Sequence, residues 1–261
     1  MLPEGQARKE IVKICQRLYE KGFIAAYDGN VSARVDLDRV LTTPSGVSKG
    51  FITEEDLIVT NLDGVKISGR LNPTSENVLH SLAYKMRPDI NAVVHAHAPM
   101  AIAFSIAGVS LVEAILPEIV FTIGSIPTAH YATPTTNEVP ESIKELIKNH
   151  DAIILAKHGT LTVGKTVEEA YVKVEKIEHT AKVIYYARSL GSVSRLSDDE
   201  VRKLLEVSGK FGLKQPNIIA EKVTPKGRSE ETRVAVDDEL VNKITALVVE
   251  ELKKRAGING N

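Results

Sequence analysis

Apolar positions near the start of the chain recur at helical spacing. Ile11, Ile14, Cys15 and Leu18 fall on one face, and Gly22 closes the run. The period then drops to two. Val31, Ala33 and Val35 alternate with polar neighbours over 30–35, and short apolar runs at 40–43 and 57–60 are separated by Pro44, Gly46 and Gly50. Asp63-Gly64, set between Ile58-Val59 and Val65–Ile67, predicts a hairpin. Pro73-Thr74-Ser75-Glu76 ahead of Val78, Leu79, Leu82 and Ala83 predicts a helix start. Residues 91–97 read as a buried strand, 98–108 as a helix, 124–130 as a short strand and 141–148 as a helix. Strands are expected at 151–156 and 161–163, on either side of His158-Gly159. A long helix follows over 167–189, with Ala170, Val174, Ile177, Ala181 and Ile184 on one face. The sum is an α/β fold with a mixed central β-sheet flanked by helices.

Two stretches need separate treatment. Residues 98–117 are mostly apolar and about as long as a bilayer requires. They contain Pro99, Gly108, two serines and Glu113 and lack basic flanks, so the expectation is a buried core helix, not a membrane span. After residue 214 the chain changes character. Pro216, Pro225, Gly227 and the polar run 226–233 give 215–236 the composition of a linker. In 237–261, Leu240, Val241, Ile244, Leu247, Val248 and Leu252 make the apolar stripe of an amphipathic helix, with Asp237-Asp238 at its positive end. The expected organisation is a folded body over 1–214, a linker, and an appended helix.

Composition narrows the function classes. With 33 Lys plus Arg against 34 Asp plus Glu in 261 residues, the formal charge is −1, which gives no electrostatic reason to expect nucleic acid or an anionic membrane. A 43% hydrophobic content excludes a mainly disordered chain. One cysteine cannot form an internal disulfide, and no opening stretch reads as a signal peptide, so a reducing cytoplasm is expected. Cys15 itself reads as a packing residue on the first helix.

The candidate chemistry starts with Val93-Val94-His95-Ala96-His97. Residues two apart on a strand share a face, so both imidazoles can reach one metal. Alone, such a pair is as compatible with core packing as with metal ligation. His158, in Ala156-Lys157-His158-Gly159-Thr160, is a third candidate, with Gly159 expected to turn the backbone sharply. Three histidines and an open position are the pattern of a catalytic zinc site. Glu76, at a helix N-terminus after Thr74 and Ser75, is the candidate acid/base, with burial expected to raise its pKa. Gly29-Asn30, Ser45-Gly46 and Thr74-Ser75 have the composition of anion-binding turns and point to a phosphorylated substrate. His80 lies four residues after Glu76 and is a candidate to support the site, whereas His130, His150 and His179 read as structural or surface residues.

Together, Gly29-Asn30-Val31-Ser32, Thr43-Pro44-Ser45-Gly46, Pro73-Thr74-Ser75-Glu76, Val93-Val94-His95-Ala96-His97 and Lys157-His158-Gly159 resemble the class II aldolase and ribulose-phosphate epimerase family over about residues 4–215. The resemblance implies one zinc per subunit held by His95, His97 and His158, and Glu76 as the proton-transfer residue. It implies phosphate bound by Gly29, Asn30, Ser45, Gly46, Thr74 and Ser75, in a homotetramer with its site at a subunit interface. The activity implied is retro-aldol cleavage of L-fuculose 1-phosphate, or a related ketose 1-phosphate, to dihydroxyacetone phosphate and lactaldehyde. Methylthioribulose-1-phosphate dehydration, pentulose-phosphate 4-epimerisation and a metal-free adducin-like interaction module are the alternatives.

Two features depart from the family pattern. Leu116-Pro117-Glu118 stands where the family's aldehyde-protonating tyrosine is expected. The helix expected over 237–261 is an addition that resembles the peptides carrying enzymes into bacterial microcompartments, so a shell protein is an expected partner.

Overall fold

In the computed structural model, which describes residues 1–210, 217 and 218, eight strands form one sheet. In chain order they are β1 (Asn30–Asp36), β2 (Arg39–Thr42), β3 (Ile58–Thr60), β4 (Lys66–Ser68), β5 (Ala92–Ala96), β6 (Thr128–Ala129), β7 (Ala152–Leu155) and β8 (Gly159–Gly164). Their order across the sheet is β4-β3-β2-β1-β5-β8-β7-β6. Every neighbouring pair is antiparallel except β6 with β7, which makes the sheet mixed, as expected.

The seven α-helices among the described residues are α1 (Glu4–Glu20), α2 (Asn77–Met86), α3 (Pro99–Ile106), α4 (Pro117–Thr122), α5 (Glu138–Ile143), α6 (Val167–Leu190) and α7 (Asp198–Lys210). Alternation along the strands divides them between two faces. Val31, Ala33, Val94 and Ile154 join Ile11, Ile14 and Leu18 of α1 and Val174, Ile177 and Ala181 of α6 in one core. Val40, Val93, Ile153 and Val163 join Leu79, Ala83 and Tyr84 of α2 and Val139 and Ile143 of α5 in the other. β5 lies between β1 and β8 and is buried at every position, so whatever stands at its end is fixed from both sides.

The apolar stretch 98–117 is not one helix. α3 ends at Ile106, Gly108 turns at φ +67°, and Leu111 bridges Ile126 before α4 begins at Pro117. No helix among the described residues is long and apolar enough to cross a membrane. The helix expected over 141–148 starts earlier and runs over Glu138–Ile143. α4 and α7 were not expected from the periodicity; they pack together, and Ser208 Oγ donates to Phe121 O at 3.2 Å. The chain divides into two units, Met1–Ala220 and Glu221–Asn261. Apart from residues 217 and 218, the linker over 215–236 and the helix over 237–261 lie outside the described residues.

Candidate metal centre and active site

Four side chains from three parts of the chain meet where β1, β5 and β8 end. His95 lies on β5 opposite Asn30 of β1 and Leu161 of β8, His97 follows β5, and His158 immediately precedes β8. Their ring centroids are 4.9, 4.8 and 5.0 Å apart pairwise. The fourth member is Glu76, the residue before α2. Its carboxylate does not cap that helix; Oε1 lies 3.0 Å from His158 Nε2 and Oε2 lies 3.3 Å from His95 Nε2. One ligand atom from each of Glu76, His95, His97 and His158 falls within 4.8 Å of every other.

The chemistry of this donor set fits a divalent cation. The carbonyl of Thr160 can only accept, so His95 Nδ1, 2.9 Å away, carries the ring proton and leaves a lone pair on Nε2. That Nε2 lies 3.0 Å from His97 Nε2. Two imidazole nitrogens turned on each other in a buried site are adverse unless a proton or a cation sits between them. Burial disfavours the charged form of both rings; His95 is shifted down, and His97 falls to about 4, with the neighbouring rings adding to the effect. Neutral imidazoles are what metal ligation requires.

The direction of Glu76 is opposite to the one expected. Burial pushes its carboxyl up, but His95, His158 and the Asn30 amide outweigh it and hold the group below the usual carboxylate range. Its side chain is only 14% exposed, so this is a buried anion with named partners.

Behind Glu76 runs a chain of hydrogen bonds with a definite direction. Asn30 Nδ2 donates to Glu76 Oε2 at 2.8 Å. Asn30 Oδ1 accepts from His80 Nε2 at 2.5 Å, which leaves His80 Nδ1 to accept from Ser32 Oγ at 2.6 Å. Ser32 Oγ then accepts from the Tyr84 hydroxyl at 2.8 Å. His80 is fully buried, which lowers its pKa to about 3 and keeps it neutral. The supporting role expected of His80 thus has a physical route through Asn30.

The anion-binding candidates converge. An isolated bridge between Pro44 and Pro73 sets the Ser45-Gly46 turn beside Thr74 and Ser75. Asn30 Nδ2 lies 3.4 Å from Thr74 Oγ1. Gly29 has φ +69°, and a Cβ there would meet Ile24 Cγ2 at 2.4 Å, so glycine is required for both conformation and space. Ser45, Gly46 and Ser75 are exposed, whereas the Asn30 side chain is committed to Glu76 and His80.

Three observations go beyond the sequence reading. Gly159 does not make the sharp turn; Lys157 does, at φ +61°, and its N–H donates to Ser105 Oγ at 2.9 Å. Gly159 is instead needed for space, because a Cβ would sit 2.5 Å from Ala96 O and 3.0 Å from the His95 ring. Asp28 Oδ2 lies 3.4 Å from His97 Nδ1, an orienting carboxylate that no spacing rule revealed. Glu178, from the middle of α6, accepts from the backbone N–H groups of Met100 and Ala101 at 2.9 and 3.1 Å and so fixes the start of α3 just after His97. Cys15 is buried, its thiol pushed up to about 12 by desolvation, in keeping with packing. His130 and His179 are exposed, and His150 is buried with Nδ1 2.9 Å from Leu146 O.

The chain is similar to known proteins along most of its described length. The family described as the class II aldolase and adducin N-terminal domain matches residues 9–185. A Methanococcus maripaludis protein named L-fuculose phosphate aldolase is 38% identical over 181 residues, spanning 69% of this chain and 97% of that one. A Bacillus thuringiensis protein named 5-deoxy-D-ribulose 1-phosphate aldolase is 31% identical over 206 residues, 78% of this chain and 96% of that one. Among solved structures, one titled L-fuculose 1-phosphate aldolase superposes with a TM-score of 0.72 at 28% identity, covering 80% of this chain and 97% of the other.

Proposed function

The chain belongs to the class II aldolase and adducin family, and from that premise we propose that it is a zinc-dependent aldolase acting on a ketose 1-phosphate, with L-fuculose 1-phosphate as the leading substrate. The products are dihydroxyacetone phosphate and lactaldehyde. The observation that carries this reading is the convergence of His95, His97 and His158 with Glu76. His95, His97 and His158 hold one zinc per subunit, which supplies Lewis acidity toward charge developing on the substrate's oxygens. The relatives' names support the substrate class, because both are named as aldolases of sugar 1-phosphates or phosphates.

The protein's own residues supply the proton traffic. Glu76 begins as a carboxylate, so it acts first as a base, taking up the proton that the C4 hydroxyl loses as its oxygen becomes the aldehyde carbonyl and the C3–C4 bond breaks. It then returns that proton to C3 of dihydroxyacetone phosphate. The Asn30 amide holds Oε2 in place while Oε1 faces His158. The turns at Gly29-Asn30, Ser45-Gly46 and Thr74-Ser75 bind the phosphate, chiefly through backbone N–H groups and hydroxyls. The dehydratase and epimerase readings share the metal ligands; the epimerase is disfavoured because its motif carries Asp at the position of Glu76. A metal-free adducin-like module would have no use for three imidazoles gathered on one carboxylate.

The family resemblance also supports a homotetramer. The stripe in 237–261 supports docking of the tail on a microcompartment shell protein, which puts the enzyme in the cytoplasm or inside such a shell. A panel of ketose 1-phosphates assayed for triose-phosphate release tests the activity, together with Glu76→Gln and His95→Ala. Fastest release from L-fuculose 1-phosphate is expected. Glu76→Gln should keep its zinc while turnover falls by roughly 10²- to 10⁴-fold, and His95→Ala should lose the metal. Zinc-loaded protein that releases triose phosphate from no member of the panel overturns the reading.

A further inference from the structure

Lys49 follows the Ser45-Gly46 turn and opens the single-turn helix Lys49–Phe51. It is 2% exposed, which is rare for a lysine. Its Nζ donates to Tyr27 O at 2.5 Å, two residues before Gly29, so the side chain ties the 45–46 turn to the 27–29 turn. Among the described residues, no carboxylate lies within ion-pair distance of the ammonium, and one carbonyl satisfies only one of its three donors. Burial weakens its hold on the proton, and Cys15 of α1, then Asp28 and Glu76, act to restore it, so the group lies between the α1 core and the candidate active site.

A buried cation held this way, with two donors to spare, lacks a counter-anion. The phosphate set of Gly29, Asn30, Ser45, Gly46, Thr74 and Ser75 has the complementary deficit, since it is made of neutral groups only. Lys49 links two of the three turns that carry that set. We propose that Lys49 binds the substrate's phosphate directly and makes the enzyme prefer phosphorylated over unphosphorylated ketoses. This inference rests on the ketose 1-phosphate reading above for its substrate, but not for its anion site.

The test uses the metal-replete full-length protein and inorganic phosphate as the probe. Lys49→Gln removes the charge while keeping an N–H donor for Tyr27 O; Lys49→Met removes both. Calorimetric titration should show phosphate affinity reduced roughly ten- to a hundredfold in each variant that keeps the wild-type circular dichroism. With ketose 1-phosphate, kcat/KM should fall mainly through KM, and by a larger factor than with the unphosphorylated ketose. Phosphate affinity within about twofold of wild type in Lys49→Gln overturns the proposal, as does a fall in affinity for neutral and phosphorylated sugars alike. The Gln variant decides the matter if Lys49→Met does not fold. Loss of phosphate binding in a protein that cleaves no ketose 1-phosphate sinks the aldolase reading and leaves the anion site. Intact phosphate binding in an active aldolase sinks only the role of Lys49.

Discussion

The Asn30 amide donates to Glu76 Oε2 at 2.8 Å while its own oxygen accepts from His80 at 2.5 Å, so a fully buried histidine sets the position of the carboxylate without touching it. The Asn30 side chain can satisfy both neighbours in only one amide orientation, and the N–H of His80 removes the alternative.

Asn30→Ala should therefore lower kcat with zinc content unchanged. The variant leaves Glu76 Oε2 without its donor and His80 Nε2 without its acceptor, and unpaired buried groups of this kind cost about 1–3 kcal/mol each. A drop in kcat of roughly 10- to 100-fold, with KM little altered, is expected from steady-state kinetics, with metal content measured alongside. His80→Phe should give the same kinetic signature through the same link. Loss of zinc in either variant would show that these residues hold the ligands and not the carboxylate.

Asp28 bears on metal affinity instead. Its carboxylate lies 3.4 Å from His97 Nδ1 and is half exposed. Orienting carboxylates of this kind are worth roughly 10- to 100-fold in affinity, and exposure puts Asp28 toward the lower bound. Competition with a chromogenic chelator should show Asp28→Asn binding zinc about tenfold more weakly. Turnover at saturating zinc should stay near wild type. An unchanged zinc affinity would mean that the carboxylate does not orient His97.

These residues differ in how far the sequence disclosed them. α1 and α6 were legible because their apolar faces run long enough to fix a period, and β5 because it is a short apolar run. The motifs carried His95, His97, His158 and Glu76 for the same reason: each stands at the end of a strand or helix that the pattern predicts. Asp28, the Thr160 carbonyl and the orientation of Asn30 were not legible, since loop geometry and cross-strand register bring them in. Nothing in the sequence singles out Lys49; its burial does. The mostly apolar composition of 98–117 suggested one core helix, but Gly108, visible in the sequence, makes a turn within it. α7 could have been found. Ser197-Asp198-Asp199-Glu200 is a capping box, with Ser197 N–H donating to Glu200 at 2.7 Å and Glu200 N–H returning to Ser197 Oγ at 3.3 Å.

The last prediction concerns stability and acid. Asp151 stands before β7 and accepts from Arg87 at 2.8 Å and from Lys173 at 3.0 Å, two cations whose side chains are 6% and 8% exposed. Burial pushes the Asp151 carboxyl up, but Lys173 and Arg87 outweigh it and hold it below the ordinary range. A depressed native pKa means that the unfolded chain binds the proton first. The pair's contribution is thus fully present above about pH 4, the unfolded value, and is lost as pH falls through the native one. At pH 7, Asp151→Asn strands part of two buried charges. Each cation keeps a second carboxylate, Asp89 for Arg87 and Glu169 for Lys173, so the cost should be about 2 kcal/mol, below that of an isolated buried pair. Denaturant midpoints at neutral pH and near pH 3 check the sign: the gap between wild type and variant should narrow on acidification, because the unfolded wild type then takes up a proton that the folded carboxylate resists. A gap that stays constant would mean that Asp151 contributes by packing and not by charge.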